Sequence, residues 1–77
     1  MARIDISRFS ESKSKNQRPH NLISGEYTII YLENQKLLQI DTFGSDDRQI
    51  KGKMSQSIQL DKAVLEKLVN IYFEKFK

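Results

Sequence analysis

Over residues 54–60 the chain alternates, with Met54, Ile58 and Leu60 set against Ser55, Ser57 and Gln59, and with Gln56 interrupting the apolar set. A period of two predicts a strand whose apolar positions share one face and whose short polar positions share the other. The period then lengthens. Val64, Leu65, Leu68, Ile71, Tyr72 and Phe76 recur at spacings of three and four, while Glu66, Lys67, Asn70, Glu74 and Lys75 fall between them. This spacing predicts an amphipathic helix over residues 62–76, with the Asp61 carboxylate capping its first turn. Val69 and Phe73 widen the stripe; a stripe this wide is most often core packing, and in so short a chain it also suits the cover of a second subunit.

Upstream, residues 26–33 (EYTIIYLE) are rich in β-branched and aromatic side chains and predict a strand, with Gly25 and Asn34 at its ends. Tyr27, Ile29 and Tyr31 share one face; Thr28, Ile30 and Leu32 share the other. A tight connection at residues 34–36 leads to a second strand over 37–43, with Leu38 and Ile40 on one side and Gln39, Asp41 and Phe43 on the other. Residues 44–53 (GSDDRQIKGK) are polar and glycine-punctuated, which predicts an exposed loop. At the start, Ile4, Ile6 and Phe9 fit either a short strand or a single helical turn. Residues 10–21 (SESKSKNQRPHN) are too polar to order themselves. The expected architecture is α+β: an antiparallel β-meander followed by a C-terminal helix, in a dimer. Residues 1–24 would form a basic, largely flexible arm and residues 25–77 a single domain.

Length and charge sharpen this picture. Chains of 77 residues bury only about 60–65% of their extended surface and usually need a staple. Without cysteine, and with one histidine, neither a disulfide nor a usual structural zinc site is available, which leaves self-association as the common remedy. No apolar run is long enough to span a membrane, and MARIDISRF has no signal-peptide core, so a cytoplasmic location is expected. The net charge of +3 lies wholly in residues 1–24, where Arg3, Arg8, Lys13, Lys15 and Arg18 outnumber Asp5 and Glu11. A basic arm on a neutral domain suits phosphate contacts, and a solvated tail gives the same charge count.

Catalytic chemistry finds little support. His20 stands alone beside Pro19 with nothing to orient it, and Ser55 and Ser57 have no identifiable base. Asp41, Asp46, Asp47 and Asp61 complete no calcium-loop spacing, and the lysines of the loop fit no Walker pattern. The chain is therefore expected to be no enzyme, with no metal and no cofactor. Ser55, Ser57 and Gln39 on a strand face, edged by Arg48, Lys51 and Lys53, would suit single-stranded nucleic acid if Tyr27, Tyr31 and Phe43 lie beside them. Rings stack on bases, short polar groups bond to base edges or phosphates, and cations track the backbone. The same rings are equally compatible with a buried core.

The order of elements over residues 25–77 resembles the single-stranded DNA-binding transcriptional coactivators of the positive cofactor four family and their short bacterial relatives. The residues that carry the likeness are Gln39-Ile40-Asp41-Thr42-Phe43, Lys51-Gly52-Lys53, Ser57-Ile58-Gln59-Leu60 and the helix after Asp61. The resemblance implies a curved sheet platform for single-stranded DNA, phosphate contacts from Lys51 and Lys53, and a dimer built by the C-terminal helix. The chain departs from the pattern in a longer loop over residues 44–57, in Ser57 where a glycine stands, and in Thr42 where a base stands. Residues 37–61 also resemble small bacterial proteins.

Two function classes follow. One is a single-stranded DNA or RNA binding protein, an accessory factor in transcription or another DNA transaction. The other is a protein-interaction module, an accessory subunit or inhibitor that docks on a larger partner. Both are expected to work as homodimers without membrane attachment, with Val69, Tyr72, Phe73 and Phe76 at the subunit interface.

Overall fold

The computed structural model describes residues 1–14, 17–44 and 54–77. Among these residues four strands form one sheet: β1 (Ala2–Arg3), β2 (Gly25–Tyr31), β3 (Lys36–Phe43) and β4 (Met54–Leu60), in the spatial order β1-β4-β3-β2. The β2–β3 and β3–β4 pairs are antiparallel, and β1 adds to β4 in parallel. Helix α1 (Lys62–Ile71) follows β4 directly and continues as a π-helical stretch, Tyr72–Phe76. The fold is thus α+β, an antiparallel meander ending in a C-terminal helix. No helix among the described residues is long and apolar enough to cross a membrane.

Local chemistry sets each boundary. Tyr31 pairs with Lys36, and the Leu32 N–H donates to the Gln35 carbonyl at 2.8 Å, so the hairpin turns on Glu33 and Asn34. Asp61 is extended, and its carboxylate accepts from the Val64 N–H at 3.0 Å, satisfying one of the first-turn donors that a helix leaves unpaired. Such a cap contributes about 1 kcal/mol.

The first nine residues are attached to the domain instead of belonging to a free arm. Ala2 and Arg3 pair with Ile58 and Gln59, and the Ile4 N–H donates to the Gln59 carbonyl at 3.0 Å. A 3-10 turn follows at Ile6–Arg8, the single turn that Ile4, Ile6 and Phe9 allow, whereas the short strand lies ahead of those residues at Ala2–Arg3. Asp5 caps the turn by accepting from the Ser7 hydroxyl and N–H and from Arg8. The Ser7 hydroxyl, then the Ser7 N–H, hold its carboxyl below the usual aspartate range. Lys67 of α1 reaches back to the Phe9 carbonyl at 2.9 Å, with its ammonium 5.8 Å from the Phe9 ring. The basic, exposed stretch that fits an arm therefore starts after Phe9.

The core is small. Among the described residues the buried apolar side chains are Leu37, Leu60 and Val64, and only Val64 is fully enclosed. The helix turns Val64 inward and half-buries Leu65, Lys67 and Ile71. Its remaining apolar positions, Leu68, Val69, Tyr72, Phe73 and Phe76, are exposed. They recur at spacings of three and four, so they form a second stripe with no cover in the single chain.

Candidate functional site

Pairing in the sheet decides which side chains meet, because residues directly opposite in an antiparallel ladder project to the same side. Tyr27 is opposite Ile40, which is opposite Ile58; Ile29 is opposite Leu38, which is opposite Leu60. Tyr31 is opposite Lys36. These residues make one face, the tyrosine face. Glu26 is opposite Asp41, which is opposite Ser57; Thr28 is opposite Gln39, which is opposite Gln59. These make the other, the amide face.

The candidate nucleic-acid residues are therefore divided between two sides of the sheet. Gln39 and Ser57 lie on the amide face, whereas Tyr27 and Tyr31 lie on the tyrosine face. The expected single platform of polar groups and rings does not form. Its physical reason is the register: the two-residue turn sets Tyr27 against Ile40, and that choice carries every second residue of β2 to the side of Ile58. The pairing shifts between Thr42 and Phe43, so alternation is interrupted where Phe43, half-buried, approaches the start of β4. Ser55 is exposed beside this irregularity. Arg48, Lys51 and Lys53 lie outside the described residues, as does the rest of the expected loop from residue 45 onward.

Exposure also differs between the two faces. Tyr27 and Tyr31 are each 73% exposed, and Ile29 between them is exposed as well. The amide face is the more covered one: Gln39, Asp41 and Gln59 are half-buried and Ser57 is buried. Its polar groups are engaged with each other. The Gln59 amide donates to the Gln39 oxygen at 2.9 Å, and the Gln39 amide donates to Asp41 at 3.0 Å, a relay across two strands that ends on a carboxylate. Among the described strand residues this face carries two carboxylates, Glu26 and Asp41, against one cation, Arg3 opposite Gln59, so it suits phosphate less well than a wholly basic face would.

Ser57 stands apart from this relay, since its hydroxyl finds no hydrogen-bond partner among the described residues although it is 8% exposed. A buried donor left unmade costs roughly 1–3 kcal/mol, so removing the hydroxyl removes that penalty. Ser57→Ala is accordingly expected to hold or raise the melting temperature. A clear fall in a thermal scan would mean that the hydroxyl is bonded in solution.

The tyrosine face has the opposite electrostatics. Among the described strand residues it bears no carboxylate, and the Lys36 ammonium sits 5.5 Å from the centre of the Tyr31 ring. Ile29, Lys36, Leu38, Lys62 and Leu65 line one groove at its end, so the start of α1 brings a second ammonium to the margin. Tyr27, Leu38 and Ile40 line a shallower depression beside it, with Glu26 of the neighbouring strand position at its margin. Lys36 and Lys62 are the site residues that the sequence reading missed. Closing the hairpin on a two-residue turn places Lys36 across from Tyr31, and that register was the available signal.

The expected subunit-interface residues Val69, Tyr72, Phe73 and Phe76 are all more than half exposed, with Phe76 at 77%. Tyr72 and Phe73 meet edge to face at 5.4 Å, and Lys77 lies 4.9 Å over the Phe73 ring. Half-buried Leu65, one turn before Leu68 and Val69, lines the groove on the tyrosine face. Among the described residues no three metal-ligating side chains gather. No protein-family model, curated protein or solved structure matches the chain.

Proposed function

We propose that this chain is a non-enzymatic protein that binds single-stranded nucleic acid on the tyrosine face, as an accessory factor in transcription or another DNA transaction. The observation that carries this reading is the pair of 73% exposed tyrosines beside Lys36 on a face whose described strand residues bear no carboxylate. Exposed rings stack on bases whatever their sequence, and duplex hides its base faces, so single strands are the preferred form. Lys36 and Lys62, with Arg48, Lys51 and Lys53 of the segment that joins β3 to β4, supply the phosphate contacts. Ser55 is near enough to that segment in sequence to assist, whereas Gln39 and Ser57 have no part in the contact.

Fluorescence-anisotropy titration with single- and double-stranded oligonucleotides at two salt concentrations tests this directly. Single strands should bind more tightly than duplex, and both should weaken as salt rises. Equal binding of the two forms, or none at low salt, would end the nucleic-acid reading.

The exposed stripe of Leu68, Val69, Tyr72, Phe73 and Phe76 favours a second reading, a protein-interaction module whose helix docks on a partner. The two readings are compatible, since the stripe and the tyrosines occupy different elements.

A further inference from the structure

Strand β2 is an unprotected edge. Among the described residues it is last in the sheet and pairs with β3 alone. Edge strands are usually guarded by proline, lysine, a bulge or extreme shortness. The seven residues GEYTIIY of β2 have none of these, and their only charge is Glu26.

The direction of its free backbone groups follows from two hydrogen bonds. Leu32 N–H donates to Gln35 and Phe43 N–H donates to the Ser24 carbonyl, which fixes the phase of the β2–β3 ladder at both ends. Bonded and non-bonded pairs alternate in an antiparallel ladder. Glu26, Thr28 and Ile30 therefore bond inward to β3. Gly25, Tyr27, Ile29 and Tyr31 aim their N–H and C=O groups out of the sheet.

We infer that β2 pairs antiparallel with β2 of a second copy, about a two-fold axis through Thr28. That register is the one that uses the whole strand. Gly25 bonds to Tyr31 of the second copy and Tyr27 to Ile29, and Thr28 faces Thr28. Each cross-strand neighbour is favourable: a tyrosine ring lies over a glycine that offers no side chain, aromatic meets β-branched, and threonine meets threonine. Glu26 falls opposite Ile30, so the two copies' carboxylates are kept apart.

The surface to be covered is large enough. The chain exposes 7409 Å², against roughly 4,900 Å² for a compact monomer of 9.0 kDa. Among the described residues the excess includes residues 10–14 and 17–24 and side chains of the sheet and helix such as Tyr27, Tyr31, Tyr72 and Phe76; a standard interface takes roughly 800 Å² from each partner. Pairing through β2 also sets Tyr27, Tyr31 and Lys36 of both copies on one continuous face. The inference stands without the nucleic-acid reading, because it rests on backbone groups and on self-complementarity alone.

The full chain has no cysteine, so single substitutions report on the axis. Across a non-bonded pair the Cα atoms approach to about 4.5 Å, which a disulfide can bridge. Under mild oxidation, without nucleic acid, Thr28→Cys should give a covalent dimer on a non-reducing gel. Glu26→Cys, displaced four residues from its own copy, should not. Thr28→Lys and Thr28→Glu should each weaken the sedimenting dimer at least tenfold, and mixing the two should restore it. A monomeric wild-type chain would overturn the inference. So would equal cross-linking of both cysteine variants, or a dimer that neither cross-links at Thr28 nor responds to the charge pair.

Discussion

Val64→Asp should leave the chain without a cooperative unfolding transition, even though Val69→Glu, about 1.4 turns further along α1, leaves it folded. Val64 is 0% exposed and is the fully enclosed side chain of the fold, whereas Val69 is 51% exposed. Burying a carboxyl without a hydrogen-bond partner costs roughly 2–7 kcal/mol, beyond the loss of apolar burial. That is comparable with the whole stability of a domain this small, about 0.05–0.15 kcal/mol per residue. In the single chain, a glutamate at Val69 meets water and changes stability by about 0.5 kcal/mol or less. Its expected effect is on association: if the helix stripe covers a second copy or a partner, the charge there should lower the sedimenting mass. Circular-dichroism melts separate the two variants, and sedimentation reads the second. An unchanged mass and melting temperature for Val69→Glu would remove the helix stripe from any interface.

Tyr27→Ala and Tyr31→Ala should each weaken single-stranded DNA binding by roughly 5- to 150-fold, the equivalent of 1–3 kcal/mol for one stacked base. Their slopes of affinity against salt should hardly move, because a ring releases no counterions. Lys51→Ala should do the reverse, weakening all sequences alike and flattening the slope by about 0.7. Both rings are largely exposed, so the alanine variants should melt close to wild type. Gln39→Ala provides the contrast. It removes the acceptor of the Gln59 amide and the donor to Asp41, so stability should fall while affinity is retained. Affinity lost at Gln39 but kept at both tyrosines would move the contact to the amide face and refute the assignment of sides.

The order and kind of the main elements were determined by the sequence alone. A period of two over residues 54–60, then a period of three and four after Asp61, specifies a strand that runs straight into a capped helix, and both are where the pattern puts them. The hairpin of β2 and β3 was equally legible, since strand-like runs on either side of Asn34 leave few other pairings. These are local properties, set by backbone periodicity and capping. The surplus of apolar helix positions was legible too, although periodicity cannot say which members are inward. Val64 is enclosed, while Leu68, Tyr72 and Phe76, which share its stripe in the sequence, are not.

Tertiary structure decided everything that depends on two elements at once. Period two divides each strand into two faces but does not say which face of one strand joins which face of the next. A single-residue difference in register exchanges them. The β2–β3 pairing placed Tyr27 and Tyr31 with Ile58 instead of Ser57, and so separated rings from amides that a strand-by-strand reading had allowed to coincide. The attachment of the N-terminus was likewise hidden. Ala2 and Arg3 offer little side-chain pattern, and what holds them is backbone pairing to the open edge of β4, a partner more than fifty residues away that no local signal announces.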